Sequence, residues 1–164
     1  MRILGIDPGL RLTGYGCVEL RPNQSEPALL EAGVLRLRSE SSIAFRLAQL
    51  HEDLLGIVDE VKPEVIAVEK LFAHYRHVRT SIIMAHARGV VLLVGQMRGL
   101  ELHELAATEV KRAVTGNGHA SKEQVQRAVM TQCGLAQPPE PADVADAIAI
   151  ALCAARRLAL SAHE

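Results

Sequence analysis

Aromatic side chains are almost missing from this 164-residue chain: it has no tryptophan, and Tyr15, Phe45, Phe72 and Tyr75 are the whole set. The core must therefore be aliphatic, and a platform of several rings for stacking single-stranded nucleic acid is excluded. Cysteine is nearly as scarce. Cys17, Cys133 and Cys153 are odd in number and follow no CxxC or zinc-ligand spacing, so no disulfide framework is expected and reduced thiols suit a cytoplasmic protein. His74 and His77 stand three apart without further ligands at metal spacing, which suits a surface pair better than a zinc site. No apolar run approaches the ~20 residues that span a bilayer, and the opening MRILGIDPG is too short for a signal peptide, so no membrane partner is expected. No repeat, low-complexity tract or linker interrupts the chain, and at this length a single domain, residues 1–164, is expected. A formal charge of −1 argues against a polycationic DNA coat protein. Residues 70 to 100, however, hold Lys70, Arg76, Arg79, Arg88 and Arg98 and no acid. That stretch suits either a solvated helix face or a one-sided meeting with a polyanion.

What is present points to a mixed α/β layer. Ile3–Asp7 is a short apolar run stopped by Pro8-Gly9, and Leu12–Leu20 and Leu29–Arg38 are rich in β-formers. Together they predict three strands in an antiparallel meander. Ile43, Leu47, Leu50, Leu54, Ile57 and Val61 recur at helical spacing, and Pro63 ends that helix. Val65–Glu69 is a second buried strand, which a helical crossover makes a parallel neighbour of the first. Helical spacing returns from Arg76 to Arg98, where Ala85 and Gly89 would let another helix approach closely. Leu100–Leu105 suits a fifth strand, Thr108 a helix cap, and Ser121-x-x-Gln124 a capping box. Pro141 fits the first turn of a last helix running to about Leu160.

Four acids stand where apolar residues belong. Alternation puts Ile3, Gly5 and Asp7 on one face of the first strand, and Val65, Ala67 and Glu69 on one face of the fourth. Gly5 and Ala67 leave room above them for a closely packed element. The alanine-rich last helix suits that room, and its Asp143 and Asp146 share one face, roughly 5 to 6 Å apart. Singly, each acid has an ordinary use in a turn, a strand end or a helix first turn. Together they would repel one another unless protonated or joined by a cation, and hard carboxylate oxygens are what Mg²⁺ or Mn²⁺ prefers. Paired ions about 3.5 to 4 Å apart stabilise both the attacking and the leaving oxygen in phosphodiester cleavage.

The motifs themselves are similar to those of one family. Ile6-Asp7-Pro8-Gly9 with Thr13-Gly14-Tyr15-Gly16, Ala67-Val68-Glu69-Lys70-Leu71-Phe72, Ala87-Arg88-Gly89 and Ala142-Asp143-Val144-Ala145-Asp146-Ala147 resemble, in order, the RuvC family of bacterial Holliday-junction resolvases. Val110-Lys111, Gly116-Asn117-Gly118 and Ser121-Lys122 to Gln126 extend the resemblance over essentially the whole chain. It implies an RNase H-like α/β fold with a five-stranded mixed sheet flanked by helices, a homodimer, and Mg²⁺-dependent paired nicking of a four-way DNA junction in recombination and repair. It also implies a branch-migration complex, RuvA and RuvB, as partners. Asp7, Glu69, Asp143 and Asp146 fall on the family's acidic positions, although some members carry histidine where this chain has Asp143. Asp7, ending the central strand, suits the ligand shared by two ions, and water attack on the phosphorus would leave 5′-phosphate and 3′-hydroxyl ends. Lys111 and Lys122 match basic positions beside the site, and both also suit plain surface lysines. Phe72 matches a residue that wedges unpaired bases at the crossover, its alternative being a core ring; Tyr75 and Arg76 are weaker members of the same loop. The helix from Arg76 to Arg98 is the candidate dimer seam, with packing inside one subunit as the alternative.

Two other readings follow from the same residues. An RNA-processing nuclease of the same fold would need the same acids. Gly5-Ile6-Asp7-Pro8-Gly9 also resembles the first phosphate loop of actin-like nucleotide-binding proteins, which carry a second Asp-x-Gly loop; this chain contains that tripeptide once.

Overall fold

The computed structural model describes residues 1–22, 24, 26–71 and 78–161. The apolar opening run forms β1 (Arg2–Asp7), and β2 (Leu12–Glu19) and β3 (Ala28–Arg36) follow it as the expected antiparallel meander. Helix α1 (Ile43–Val61) starts where the Ser42 hydroxyl accepts the Phe45 N–H, and it closes at Lys62, in the left-handed region (φ 49°), ahead of Pro63. β4 (Val65–Glu69) runs parallel to β1, and β5 (Glu101–Leu105) runs parallel to β4, so the sheet order is β3-β2-β1-β4-β5. This is the mixed five-stranded sheet of the RNase H-like expectation.

The central strands β1 and β4 are buried on both sides, as a sheet covered by helices requires. On one side Leu4, Ile6, Ile66 and Val68 pack against Leu50 and Leu54 of α1 and Ala87 and Val91 of α2 (Val78–Met97). On the other side Ile3, Val65 and Ala67 meet α5 (Ala142–Ser161), around which α3 (Ala107–Thr115) and α4 (Lys122–Gln132) are gathered. The small residues set how close α5 comes. A Cβ on Gly5 would collide with the Ala147 carbonyl oxygen and the Ala151 amide, and one on Gly14 with the Asp143 carbonyl oxygen.

Ser121 and Gln124 form the predicted capping box of α4, and Cys17, Cys133 and Cys153 are free thiols. Three local expectations are corrected. Thr108 lies inside the first turn of α3, whose N-cap is Ala106 with no side-chain hydrogen bond. Pro141 precedes α5 rather than opening its first turn, its carbonyl accepting the Val144 N–H at 3.0 Å. Helix α2 is, by length and composition, apolar enough to cross a membrane, with a mean hydropathy of 1.4. Arg79, His86 and Arg88 break its apolar residues into short runs, which is why no long run shows in the sequence.

Candidate active site

Strand pairing brings the acids together. β1 and β4 are parallel with Ile6 opposite Val68, so Asp7 and Glu69 emerge side by side at the same sheet end. Asp7 is also opposite Gly14 of β2, and the bare Gly14 backbone lets the start of α5 rest on that spot through Asp143. Every residue from Val144 to Ala155 is buried except Asp146, the one break in an otherwise apolar stretch of helix. Asp7, Glu69, Asp143 and Asp146 accordingly line one cavity of about 420 Å³, and Lys111 from α3 and Lys122 from α4 line it with them.

The electrostatics are those of crowded like charges. Burial, then Asp146, Asp143 and Glu69, push the Asp7 carboxyl up to about 7, against a smaller opposing pull from Lys122. Glu69 is raised by burial and by Asp146, with Lys111 opposing. Asp146 is raised by burial and Asp143, with Lys122 and Lys111 opposing. Both lysines thus act on the acids through space, and within the described residues neither ammonium group is hydrogen-bonded or ion-paired.

As the side chains lie, no three His, Cys, Asp or Glu among the described residues stand close enough together to hold a metal ion. Their donor chemistry nevertheless fits a hard divalent cation: four carboxylates, no soft ligand, and mutual repulsion that a cation would relieve. The end of β4 is held independently. Arg88 of α2 donates from Nε to the Glu69 carbonyl oxygen at 3.1 Å while pairing with Glu104, and the Lys70 amide donates to the Leu105 carbonyl at 2.7 Å. In the sequence Arg88 shows only as part of Ala87-Arg88-Gly89, and its bond to the strand end depends on α2 packing under β4. Phe72, Tyr75 and Arg76, and the His74/His77 pair, lie outside the described residues.

Known proteins share the chain's sequence and fold. The sequence model of the family "Crossover junction endodeoxyribonuclease RuvC" matches residues 3–154. A protein of that name from Rhodopirellula baltica is 44% identical over 151 residues, covering 92% of this chain and 84% of its own. Another from Heliobacterium modesticaldum is 42% identical and covers 96% of both chains. Among solved structures, Thermus thermophilus RuvC in complex with a Holliday junction substrate superposes with a TM-score of 0.88 at 32% identity, covering 98% of this chain and 96% of that one.

Proposed function

The chain belongs to the RuvC family of Holliday-junction resolvases, endonucleases of recombination and repair, and from that premise we propose that its whole length acts as one Mg²⁺-dependent nuclease domain whose catalytic acids are Asp7, Glu69, Asp143 and Asp146. The observation that supports this most is the convergence of those four acids, from two strand ends and one helix, on a single cavity with two unpaired lysines. Mg²⁺ bound there would supply Lewis-acid stabilisation of the charge that develops on a phosphodiester during hydrolysis.

The chain's own groups supply the rest. Asp7 stands between Glu69 and α5 and is the acid most strongly held toward its neutral form, so it gains most from a cation. Lys111 and Lys122 are placed to hold non-bridging oxygens of the scissile phosphate, and Lys122 does so beside the exposed N–H groups at the start of α4. Phe72, Tyr75 and Arg76 remain our candidates for contact with unpaired bases at the crossover.

A junction needs two strands cut, and the described residues of one chain form one such carboxylate cavity. We assign the homodimer seam to α2. Val78, Ile82, Leu93 and Met97 are exposed, and with Ala85 and Gly89 they form one stripe down the helix; a Cβ on Gly89 would meet nothing within 4 Å. Cytoplasmic DNA is the substrate, and the RuvA and RuvB branch-migration complex is the expected partner. Incubating the protein with a four-way DNA junction, a linear duplex of the same sequence and a structured RNA, each with Mg²⁺, tests this reading. Cleavage confined to the junction is expected, whereas preferential cleavage of RNA would move the chain to RNA processing.

A further inference from the structure

A second cleft of about 500 Å³ adjoins the carboxylate cavity and shares Gly9, Met84 and Asp143 with it. Its other walls come from the turn after Asp7, the first turns of α1 and the start of α2, and its charged groups include Arg11 and Arg46. Arg46 is held in place by one hydrogen bond, from Nη1 to the Leu10 carbonyl oxygen at 3.1 Å. Its Nε is buried without a hydrogen-bond partner. Such an atom is costly in a folded protein, and in native sites it marks a role or an absent partner. Arg11 is exposed. Within the described residues neither guanidinium has a carboxylate within 4.0 Å, a state they share with Arg36, Arg38, Arg79, Arg112 and Arg127, whereas Arg2, Arg21, Arg88, Arg98, Arg156 and Arg157 are paired; what sets Arg46 apart is its buried, unpartnered Nε.

We propose that this cleft is a phosphate-binding track, in which Arg46 and Arg11 hold the junction strand on the side of the scissile phosphate away from Lys111 and Lys122. The inference rests on the nuclease reading above and adds the path of the strand. A phosphodiester at the four carboxylates is flanked along its strand by further phosphates, and that strand must leave the cavity through an opening that tolerates negative charge. Sharing Gly9, Met84 and Asp143, the cleft lies directly beside the cavity. Its two cations balance the strand where the acids would otherwise repel it. Arg46 is a fixed donor, buried at its Nε and oriented by Leu10, while Arg11 is free to close over the backbone from outside. The occupant is therefore a nucleic-acid backbone, recognised through charge and hydrogen bonding without reading of bases.

Binding of a fluorescent four-way junction, measured by anisotropy in chelator between 50 and 200 mM salt, tests the track in Arg46→Gln, Arg46→Lys and Arg11→Gln. Arg21→Gln serves as the control, since it removes an equal charge paired to Glu19 elsewhere. Removing one cation from a phosphate should reduce the slope of log K against log salt by about 0.9. Arg46→Gln and Arg11→Gln are expected to bind about tenfold more weakly at 50 mM salt with that smaller slope. Arg46→Lys should keep the slope, and Arg21→Gln should match the parent. If Arg46→Gln does not fold, Arg11→Gln and Arg46→Lys carry the test. Parental slope and affinity in Arg11→Gln, or the same loss in Arg21→Gln, would overturn the track while leaving the nuclease reading intact. Failure of the parent to bind the junction would overturn both.

Discussion

Asparagine in place of Asp7 is expected to end cleavage and, at the same time, to stabilise the protein in chelator. The Asp7 carboxyl is held at about 7 by burial and by Asp146, Asp143 and Glu69, against an ordinary value of 3.8. A group whose folded pKa lies above its unfolded value binds more protons in the folded state between the two values. Stability is therefore lost as pH rises through that window, from about 4 to about 7, and stays low above it. A pKa difference of one between the folded and unfolded chain is worth about 1.4 kcal/mol. With the cavity open to water, a gain of about 1 to 3 kcal/mol is expected for Asp7→Asn at pH 8. For a chain of this length that is a rise in Tm of about 3 to 10 °C. Asparagine matches the shape and carries no charge, so packing over Gly14 is preserved. Thermal melts of both proteins in chelator at pH 5 and pH 8 should show a gap that is small at the lower pH and larger at the higher. Adding Mg²⁺ should then raise the Tm of the parent and leave the variant nearly unmoved, since a ligand stabilises only the form that binds it. An Asp7→Asn protein no more stable than the parent at pH 8, or with the same gap at both pH values, would refute the claim that these acids are forced together at an energetic cost.

Gly5→Ala should be damaging in the opposite sense. Its Cβ would strike the backbone of α5 at Ala147 and Ala151, and a loss of at least ~1 to 3 kcal/mol is expected in denaturant melts, with cleavage falling as Asp143 and Asp146 are displaced. Lys122→Met and Lys111→Met should keep the parental melting temperature within a few degrees and lower single-turnover cleavage by about tenfold or more. Unchanged rates in both would make them plain surface lysines. Leu93→Glu on the exposed stripe of α2 should yield a folded monomer in sedimentation, and with it the loss of coordinated cuts on the two opposite strands.

The fold was largely legible because its signals are local. The Pro8-Gly9 stop, the 4-3-4-3 spacing of α1 and the Ser121/Gln124 capping box each act over a few residues, and all three appear where the sequence places them. The site was legible for a different reason: an acid in an apolar context is expensive, so Asp146 in a helix of buried alanines and Asp7 at the end of a buried strand identify themselves. Alternation along β1 also marked Gly5 as the place where α5 would lie. Contacts made by long side chains across elements left no such mark. Arg46 stands on α1 between exposed Phe45 and half-buried Leu47, and only folding places it under the turn that follows Asp7. The bond from Arg88 to the Glu69 carbonyl likewise depends on the packing of α2 beneath β4. Thr108 was misleading because a threonine two residues into a helix resembles a cap when the true cap, Ala106, has no polar side chain.

The central claim is that carboxylates from β1, β4 and α5 form a single metal-dependent centre, and the rate of junction nicking against Mg²⁺ concentration in the parent and in Asp146→Asn tests it most directly. The α5 residue is the decisive one, since it reaches the strand-end acids only if the helix completes their site. Both opposite strands of the junction should be cut by the parent only when Mg²⁺ is present, and Asp146→Asn should show a loss of at least about a hundredfold at every concentration while still binding the junction. Parental rates in Asp146→Asn at ordinary Mg²⁺, or undiminished nicking by the parent in chelator, would contradict it.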